Sequence, residues 1–217
     1  MANLTDNLLS WYKKNKRKFP WRIKKNIENP YYVWISEIML QQTNANSVSD
    51  HYKKFISKWP NIVSLSKARL HSVLLLWQGL GYYRRAINLH NTAKIICKKF
   101  NGEIPNNYNN LIKLPGIGDY TANAIMSIGF NKNTIGIDVN IARVISRLYS
   151  LDINNHKKIS KQLHKLLPIN HSRNFMQALM DLGAKICQKK KVDCIICPLR
   201  KYCHFHNKNR TTFELEI

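Results

Sequence analysis

Apolar residues recur at intervals of three and four along almost the whole chain. Leu70–Trp77 and Ile141–Leu148 are two examples, and in each the apolar side chains would line one face of a helix. Runs that alternate between apolar and polar residues and end in turn residues, which are typical of strands, do not stand out. The pattern therefore predicts an all-α protein.

Glycine and proline residues interrupt this pattern and separate the predicted helices from one another. The predicted helices span residues 5–16, 31–42, 45–57, 66–77, 82–100, 108–113, 119–129, 139–150, 156–167 and 172–186. No internal repeat or long linker lies between them, so we expect one body or two adjoining lobes. The segment after Cys187 is too short and too rich in lysine to form a hydrophobic core of its own.

The charge of the chain indicates a polyanionic partner. Of 217 residues, 35 are lysine or arginine and 12 are aspartate or glutamate, which gives a formal net charge of +23. Hydrophobic residues make up 44% of the chain, enough for a folded core. DNA is the favoured partner because each neutralised phosphate releases counterions. Compositional bias could enrich lysine, but it does not explain the scarcity of acidic residues.

Hydropathy and the amino terminus argue against a membrane partner. No apolar run approaches the roughly 20 residues that a membrane-spanning helix requires. No long basic amphipathic helix stands apart to bind a membrane surface. The first ten residues contain Asp6 and polar side chains where a signal peptide has a basic start and an apolar stretch. These features predict a soluble, cytoplasmic protein.

Four cysteines are crowded near the end of the chain. Their spacing is C-x6-C-x2-C-x5-C, and they are Cys187, Cys194, Cys197 and Cys203. In an intracellular protein such a group indicates a metal before disulfides. Zinc commonly uses two C-x2-C pairs, of which one is present here, whereas an iron–sulfur cluster accepts unequal spacings. The spacing favours a cluster and leaves zinc open.

A basic loop lies inside this cysteine segment, and a glycine-rich turn lies between two predicted helices. Lys189, Lys190 and Lys191 separate the first two cysteines, either as a phosphate contact or as a solvated run of charge. In Leu114–Tyr120, Gly116 and Gly118 alternate just before a helix, so successive backbone N–H groups can face a phosphate. The turn is weak evidence alone, but in a chain this basic it predicts a helix-hairpin-helix DNA anchor.

Several segments together resemble one known superfamily. The matching segments are Pro20–Arg22, Trp34–Thr43, Gly79–Tyr83, Leu114–Tyr120, Asp138–Val144, Met180–Ala184 and the four cysteines. They resemble helix-hairpin-helix DNA glycosylases with an iron–sulfur cluster, and within these the adenine glycosylase (MutY) family. The resemblance covers nearly the whole chain, and it implies a base-excision-repair enzyme that acts as a monomer on double-stranded DNA containing mismatched adenine.

The resemblance also implies a division into domains. Residues 21–131 would form a six-helix barrel, with the helix-hairpin-helix at about 108–129. Residues 1–20 and 132–217 would form the cluster domain, in which the four cysteines hold one [4Fe–4S] cluster and Lys189–Lys191 contact phosphates. The C-terminal domain with which typical family members read 8-oxoguanine is not in the sequence, so we expect a short form.

Hydrolysis of the bond between adenine and its sugar requires stabilisation of both fragments, because the base leaves as an anion and the sugar becomes oxocarbenium-like. Glu37 lies in an apolar stretch, where desolvation would raise its pKa and keep it protonated; a solvated helix position is the alternative. Asp138 begins a helix, and a plain N-cap is the alternative. The resemblance implies that Glu37 is the general acid and water activator, that Asp138 stabilises the sugar cation, and that Asn140 and Tyr120 support them.

The resemblance assigns further residues to the reaction outcome and to the substrate. Relatives that cleave the strand carry a Schiff-base lysine where this chain has Tyr120, so we expect a monofunctional enzyme that leaves an abasic site. When a nucleotide is flipped out of the DNA helix, protein side chains must fill the space that it leaves. The resemblance implies that Gln42 and Tyr82 are these side chains, here called the wedges. The remaining implied substrate contacts are Thr43 and Leu80 near the opposing base, Trp21, Arg22, Leu40 and Gln177 in the adenine pocket, and Gln41 beside the wedge.

Adenine opposite 8-oxoguanine or guanine is therefore the expected substrate. A related thymine–guanine mismatch branch carries an apolar residue at the position of Gln177 and arginines at Gln41 and Gln42, and both differences favour adenine. A thymine glycosylase remains the enzymatic alternative. An inactive DNA-binding relic is the non-enzymatic alternative, and the presence of both Glu37 and Asp138 argues against it.

Overall fold

The computed structural model describes residues 3–208, and the chain divides into two compact units. One unit is Lys18–Phe130, and the other combines the described parts of residues 1–17 and 131–217. Residues 1–2 and 209–217 of the predicted cluster domain lie outside the described residues. Within residues 3–208 the only β-pairing is an isolated bridge between Cys187 and Val192, so the all-α prediction is confirmed.

The α-helices follow one another with short connections. In chain order they are α1 (Leu4–Asn15), α2 (Lys24–Ile27), α3 (Pro30–Leu40), α4 (Ala45–Lys58), α5 (Ile62–Ser66), α6 (Leu70–Trp77), α7 (Arg84–Lys99), α8 (Tyr108–Leu111), α9 (Asp119–Ala124), α10 (Val139–Tyr149), α11 (His156–Leu166) and α12 (Ser172–Lys185). Single 3₁₀ turns lie at Pro20–Arg22 and Arg200–Tyr202. None of the helices within residues 3–208 has both the length and the apolar character needed to cross a membrane.

Two predicted helices differ from the structure. The predicted helix 66–77 begins only at Leu70, as α6, because the chain is extended at Arg69. Ser66 instead ends α5, a helix that the prediction missed and that begins at the Asn61 cap. The predicted helix 119–129 is α-helical to Ala124 and then continues as a π-helical turn over Ile125–Gly129. That turn packs closely on the start of α3, since a Cβ at Gly129 would lie 3.0 Å from the Cα of Pro30.

The first unit is built around α3. Asn29 caps this helix and Pro30 occupies its first turn, as the sequence rules for helix starts expect. Eight of its eleven residues are buried. A helix covered on nearly all sides belongs in the middle of a core, and Trp34 lies with Tyr52, Phe55 and Trp77 in the same hydrophobic cluster. This burial places Glu37 inside the unit.

The second unit packs α10 and α12 together and holds α1 against α12. Gly183 permits the close approach of α12 to α10, because a Cβ there would lie 2.7 Å from the Cβ of Asn140. Arg17 follows α1 and binds the fully buried Asp181 carboxylate through its backbone N–H at 3.0 Å and its Nε at 2.6 Å. The contact at Gly183 lies at the start of α10, two residues from Asp138, whereas the Arg17–Asp181 pair joins the end of α1 to α12.

Candidate functional site

Glu37 is paired with Tyr120 inside the first unit. The Glu37 side chain is buried on α3, with 5% of the residue exposed. Tyr120 lies in the first turn of α9, and its hydroxyl donates a hydrogen bond of 2.9 Å to Glu37 Oε2. Burial among apolar residues disfavours a bare carboxylate, and the hydroxyl satisfies one of its oxygens. The arrangement holds a carboxyl group in one fixed orientation.

The glycine-rich turn leads directly into this pair. Gly116 has a φ of 79° and faces Asn88, where an added Cβ would approach to 2.9 Å, so only glycine fits without a shift. Gly116 and Gly118 are exposed, and Gly118 is the residue before α9. The Thr92 hydroxyl fixes the turn by donating to the carbonyl of Pro115 at 2.8 Å. The exposed backbone is therefore held by a rigid support two residues from Tyr120.

The two predicted wedges lie on separate loops of the same unit and share an unusual backbone conformation. Gln42 and Tyr82 are exposed, and both have positive φ, 55° and 48°. Gln41 donates to the Thr121 hydroxyl at 3.3 Å, and the Thr43 hydroxyl lies 3.4 Å from the carbonyl of Leu80. The side chain of Leu80 is buried in the hydrophobic cluster, so the backbone and not the side chain faces this loop pair.

Arg85 joins these two loops, and sequence reasoning missed it. It lies at the second residue of α7, and its guanidinium donates to backbone and side-chain oxygens of both loops. The acceptors are the carbonyls of Ile38, Met39, Gln41, Leu80 and Gly81 and the hydroxyl of Thr43. A cation in the first turn of a helix opposes the helix dipole, and this mismatch was the available signal that Arg85 has dedicated partners.

The residues predicted to line an adenine pocket fall in different surroundings. Trp21 is buried and stacks on Phe19 with ring centroids 4.7 Å apart, and the Arg22 guanidinium lies over the same Phe19 ring at 5.5 Å. Leu40, the last residue of α3, is half-buried. Gln177 belongs to the other unit, where it is buried.

The amide of Gln177 already has protein partners. Its Oε1 accepts a hydrogen bond from the Tyr12 hydroxyl at 3.1 Å, and its Nε2 donates to the carbonyl of Arg173 at 3.3 Å. These bonds hold both ends of the amide and link α1 to α12. A purine contact by Gln177 would have to use its remaining lone pair or N–H.

Asp138 is the N-cap of α10, as the structural alternative expected. Its Oδ1 accepts the backbone N–H of Ile141 at 2.7 Å, and its Oδ2 accepts the Asn140 amide at 2.9 Å. Asn140 is held in turn by Arg143, whose Nη2 donates to its Oδ1 at 2.7 Å. Arg143 also donates to the carbonyl of Cys187 at 2.8 Å. A chain of hydrogen bonds thus runs from Asp138 to the first of the four cysteines.

The four cysteines line one cavity of the second unit. It holds about 290 Å³ of atom-free space, part of it open to solvent, and Arg147 lines it with them. Burial raises the pKa of Cys197 to about 11, and burial followed by the charges of neighbouring cysteines raises the pKa of Cys194 and Cys203. Thiols gathered in this way are poor thiolates unless a positive charge joins them.

The basic loop is closed at the edge of this cavity. The bridge between Cys187 and Val192 brings its ends together, and Arg147 donates to the carbonyls of Gln188 at 2.7 Å and Lys189 at 3.3 Å. The three side chains at 189–191 are exposed. The loop therefore presents three adjacent cations from a fixed backbone.

Residues 35–169 match the model of the HhH-GPD superfamily base excision DNA repair proteins. The chain belongs to this superfamily. An adenine DNA glycosylase of Buchnera aphidicola subsp. Baizongia pistaciae is 51% identical over 207 residues, which cover 94% of this chain and 58% of that protein. The adenine DNA glycosylase of Homo sapiens is 38% identical over 208 residues, covering 91% of this chain and 38% of that protein.

These relatives confirm the resemblance to adenine glycosylases that the motifs predict. The chain spans less than two thirds of the length of these curated relatives. Among solved structures, a thermostable thymine-DNA glycosylase is 30% identical with a TM-score of 0.86, covering 94% of this chain and 95% of that one. An endonuclease III–DNA covalent intermediate has a TM-score of 0.80 at 22% identity, covering 97% and 100%, and supports the fold alone.

Proposed function

We propose that this protein hydrolyses the N-glycosidic bond of adenine mispaired with 8-oxoguanine or guanine in double-stranded DNA. The observation that carries the proposal is the buried Glu37 carboxyl held by the Tyr120 hydroxyl, in a chain whose curated relatives are named adenine DNA glycosylases. A buried, oriented carboxyl group is suited to proton transfer with a bound base.

In the proposed reaction Glu37 first acts as an acid. Its proton goes to a ring nitrogen of adenine, so the electron pair of the breaking bond leaves with a neutral base. The sugar becomes a cation, and the Asp138 carboxylate, held by Ile141 and Asn140, stabilises it. Glu37, now ionised, accepts a proton from the attacking water. The products are free adenine and an abasic site.

Tyr120 limits the reaction to this hydrolysis. A phenol has no amine with which to form a Schiff base to the opened sugar, so the strand is left intact. Its hydrogen bond to Glu37 instead gives it a positioning role. Asn140 has the matching role beside Asp138, because its amide occupies one carboxylate oxygen.

For DNA binding, we assign backbone contacts to the exposed hairpin at Gly116 and Gly118 and to the three lysines at 189–191. Gln42 and Tyr82 enter the base stack, and Gln41 and Thr43 support them from the same loop. Around the flipped adenine we assign Trp21, Arg22, Leu40 and Gln177, with Leu80 behind the opposing base. The duplex is the partner, and the protein acts on it as a monomer.

The lysine loop is testable by itself. Replacing Lys189, Lys190 and Lys191 by alanine should weaken binding to every duplex by a similar factor, because lysine–phosphate pairs carry no sequence information. The slope of log affinity against log salt should become shallower by about 0.9 for each phosphate that is no longer neutralised. Fluorescence anisotropy of a labelled duplex over a salt series measures this. An unchanged slope would mean that the loop is only a solvated run of charge.

For the cysteine cavity we assign an iron–sulfur cluster. Four thiols line the cavity. Their unequal spacing along the chain, with a single C-x2-C pair, suits a cluster better than zinc, which commonly uses two such pairs. Cys187, Cys194, Cys197 and Cys203 would hold one [4Fe–4S] cluster, whose bonds would fix the loop that carries the lysines. Iron and sulfide analysis of anaerobically purified protein tests this assignment.

A thymine–guanine mismatch glycosylase is the second candidate, because a thermostable thymine-DNA glycosylase has nearly the same backbone, with a TM-score of 0.86. Excision from A·8-oxoguanine, A·G and T·G duplexes decides between the two. We expect adenine release from the first two duplexes and no thymine release. Thymine release from T·G without adenine release would replace the proposal, and no release from any duplex would favour the inactive relic.

A further inference from the structure

Arg85 makes a set of hydrogen bonds that a structural helix residue does not need. Its Nη1 donates to the carbonyls of Ile38 at 3.0 Å and Met39 at 2.9 Å, and to that of Gln41. Its Nη2 donates to the Thr43 hydroxyl at 3.0 Å. These acceptors are the free carbonyls at the end of α3 and the turn that follows, so the cation compensates the negative end of that helix.

The same guanidinium also binds the second loop. Nη2 donates to the carbonyls of Leu80 at 2.9 Å and Gly81 at 3.1 Å, and the guanidinium carbon lies 5.5 Å from the ring centres of Trp77 and Tyr82. Burial lowers the pKa of Arg85. A planar fork with five donors can serve carbonyls on two sides at once, and a lysine ammonium cannot reproduce that geometry.

Each of the two loops exposes one side chain in the left-handed region, where residues other than glycine are strained. These residues are Gln42 and Tyr82. Few other hydrogen bonds join the loops to each other: the Thr43 hydroxyl lies 3.4 Å from the carbonyl of Leu80. Arg85 is therefore the main link between two strained backbone positions that both face outward.

We propose that Arg85 is a positioning residue that holds Gln42 and Tyr82 as one rigid pair, so that both enter the DNA stack together. The inference rests on the proposed function, because the wedge role of these two side chains belongs to it. A rigid pair enters the stack without ordering two loops at the moment of base flipping, and pre-organisation of this kind strengthens binding of the flipped state.

The test compares Arg85→Lys with Arg84→Lys, a neighbouring exposed arginine on the same helix turn. The probe is a duplex with 2-aminopurine opposite guanine, whose fluorescence rises when the base leaves the stack, with no bond cleavage required. At saturating protein we expect Arg85→Lys to lower the unstacking constant about tenfold, since at least one charge-assisted hydrogen bond is lost. Arg84→Lys should match the wild type.

A second readout separates positioning from plain stability. Binding of Arg85→Lys to a fully paired duplex, which needs phosphate contacts alone, should equal that of Arg84→Lys. An Arg85→Lys protein with wild-type unstacking would overturn the inference. Equal losses of unstacking and of paired-duplex binding would also overturn it, because they would indicate a general structural defect.

A milder pair of variants covers the case in which Arg85→Lys does not fold. Thr43→Val removes one acceptor of the guanidinium together with the weaker contact to the Leu80 carbonyl, whereas Thr43→Ser keeps the hydroxyl that makes both. We expect Thr43→Val to unstack the probe about threefold less than Thr43→Ser, and equal values would overturn the inference.

Adenine release by the wild type, assayed in parallel, separates the two proposals. If the wild type releases adenine but the variants unstack the probe as well as it does, only the proposed role of Arg85 is refuted. If the wild type releases no adenine, the proposed function is refuted, even when unstacking depends on Arg85.

Discussion

Glu37 lies in the middle of α3, where apolar neighbours cover it, whereas Asp138 lies just before α10, where N–H groups point at it. Glu37 receives a hydroxyl hydrogen bond from Tyr120, and Asp138 receives a backbone N–H and the Asn140 amide. The first carboxyl group is enclosed by a helix core and accepts a hydrogen bond from a hydroxyl, whereas the second is held at a helix start by two N–H donors. The same functional group therefore occupies two different settings, which suit the two roles proposed for these residues.

To test this difference between the two carboxyl groups, Glu37→Gln should lower adenine excision more than any other substitution proposed here. Glutamine keeps the shape of the side chain and an oxygen that can accept from Tyr120, but its amide is not acidic and cannot transfer a proton to the base. Single-turnover excision of adenine should fall by about 10³-fold, within the range for general acid–base groups. Binding to the same duplex, measured by anisotropy, should stay at the wild-type level. Full activity in this variant would show that the acid is another group.

Asp138→Asn should have the next largest effect, and Asp138→Ala sharpens its interpretation. Asparagine is also a good N-cap, so the Asn variant should retain stability while excision falls about 10²-fold through the lost charge. Alanine should lose the same activity and in addition about 1 kcal/mol of unfolding free energy. Thermal unfolding measures the difference. Equal unfolding free energies of the Asn and Ala variants would mean that the N-cap does not contribute to stability. A greater loss of excision activity in Asp138→Asn than in Glu37→Gln would mean that Asp138 contributes more to catalysis than Glu37.

Much of the architecture was predictable because local rules determine it. The spacing of apolar residues indicated the helices. The apolar stretch around Glu37 left a buried and a solvated helix position open, and the structure shows the buried one. The close packing of α10 and α12 also has a visible cause in Gly183. The preference for aspartate at N-cap positions predicted the structural role of Asp138, but it does not indicate whether Asp138 also has a catalytic role.

The features that sequence reasoning missed depend on contacts between segments far apart in the chain or on competing local signals. The short helix α5 begins at a side-chain cap on Asn61, and the chain becomes extended at Arg69 before α6 begins; neither signal outweighed the apolar spacing in the prediction. A partner of Gln177 comes from α1, more than 160 positions away. Arg85 stood among many cations in a chain of +23, and its acceptors lie near residues 40 and 80, which the sequence does not bring together.

The close approach between Gly183 and Asn140 decides which substitutions position 183 tolerates. Any side chain there, even a methyl group, would meet the Cβ and the backbone of Asn140 and displace the amide that steadies Asp138. An inactivating change at this position need not touch DNA, remove a charge or unfold the chain. Screens that rank variants by distance from the nucleotide or by loss of hydrophobic area would overlook it.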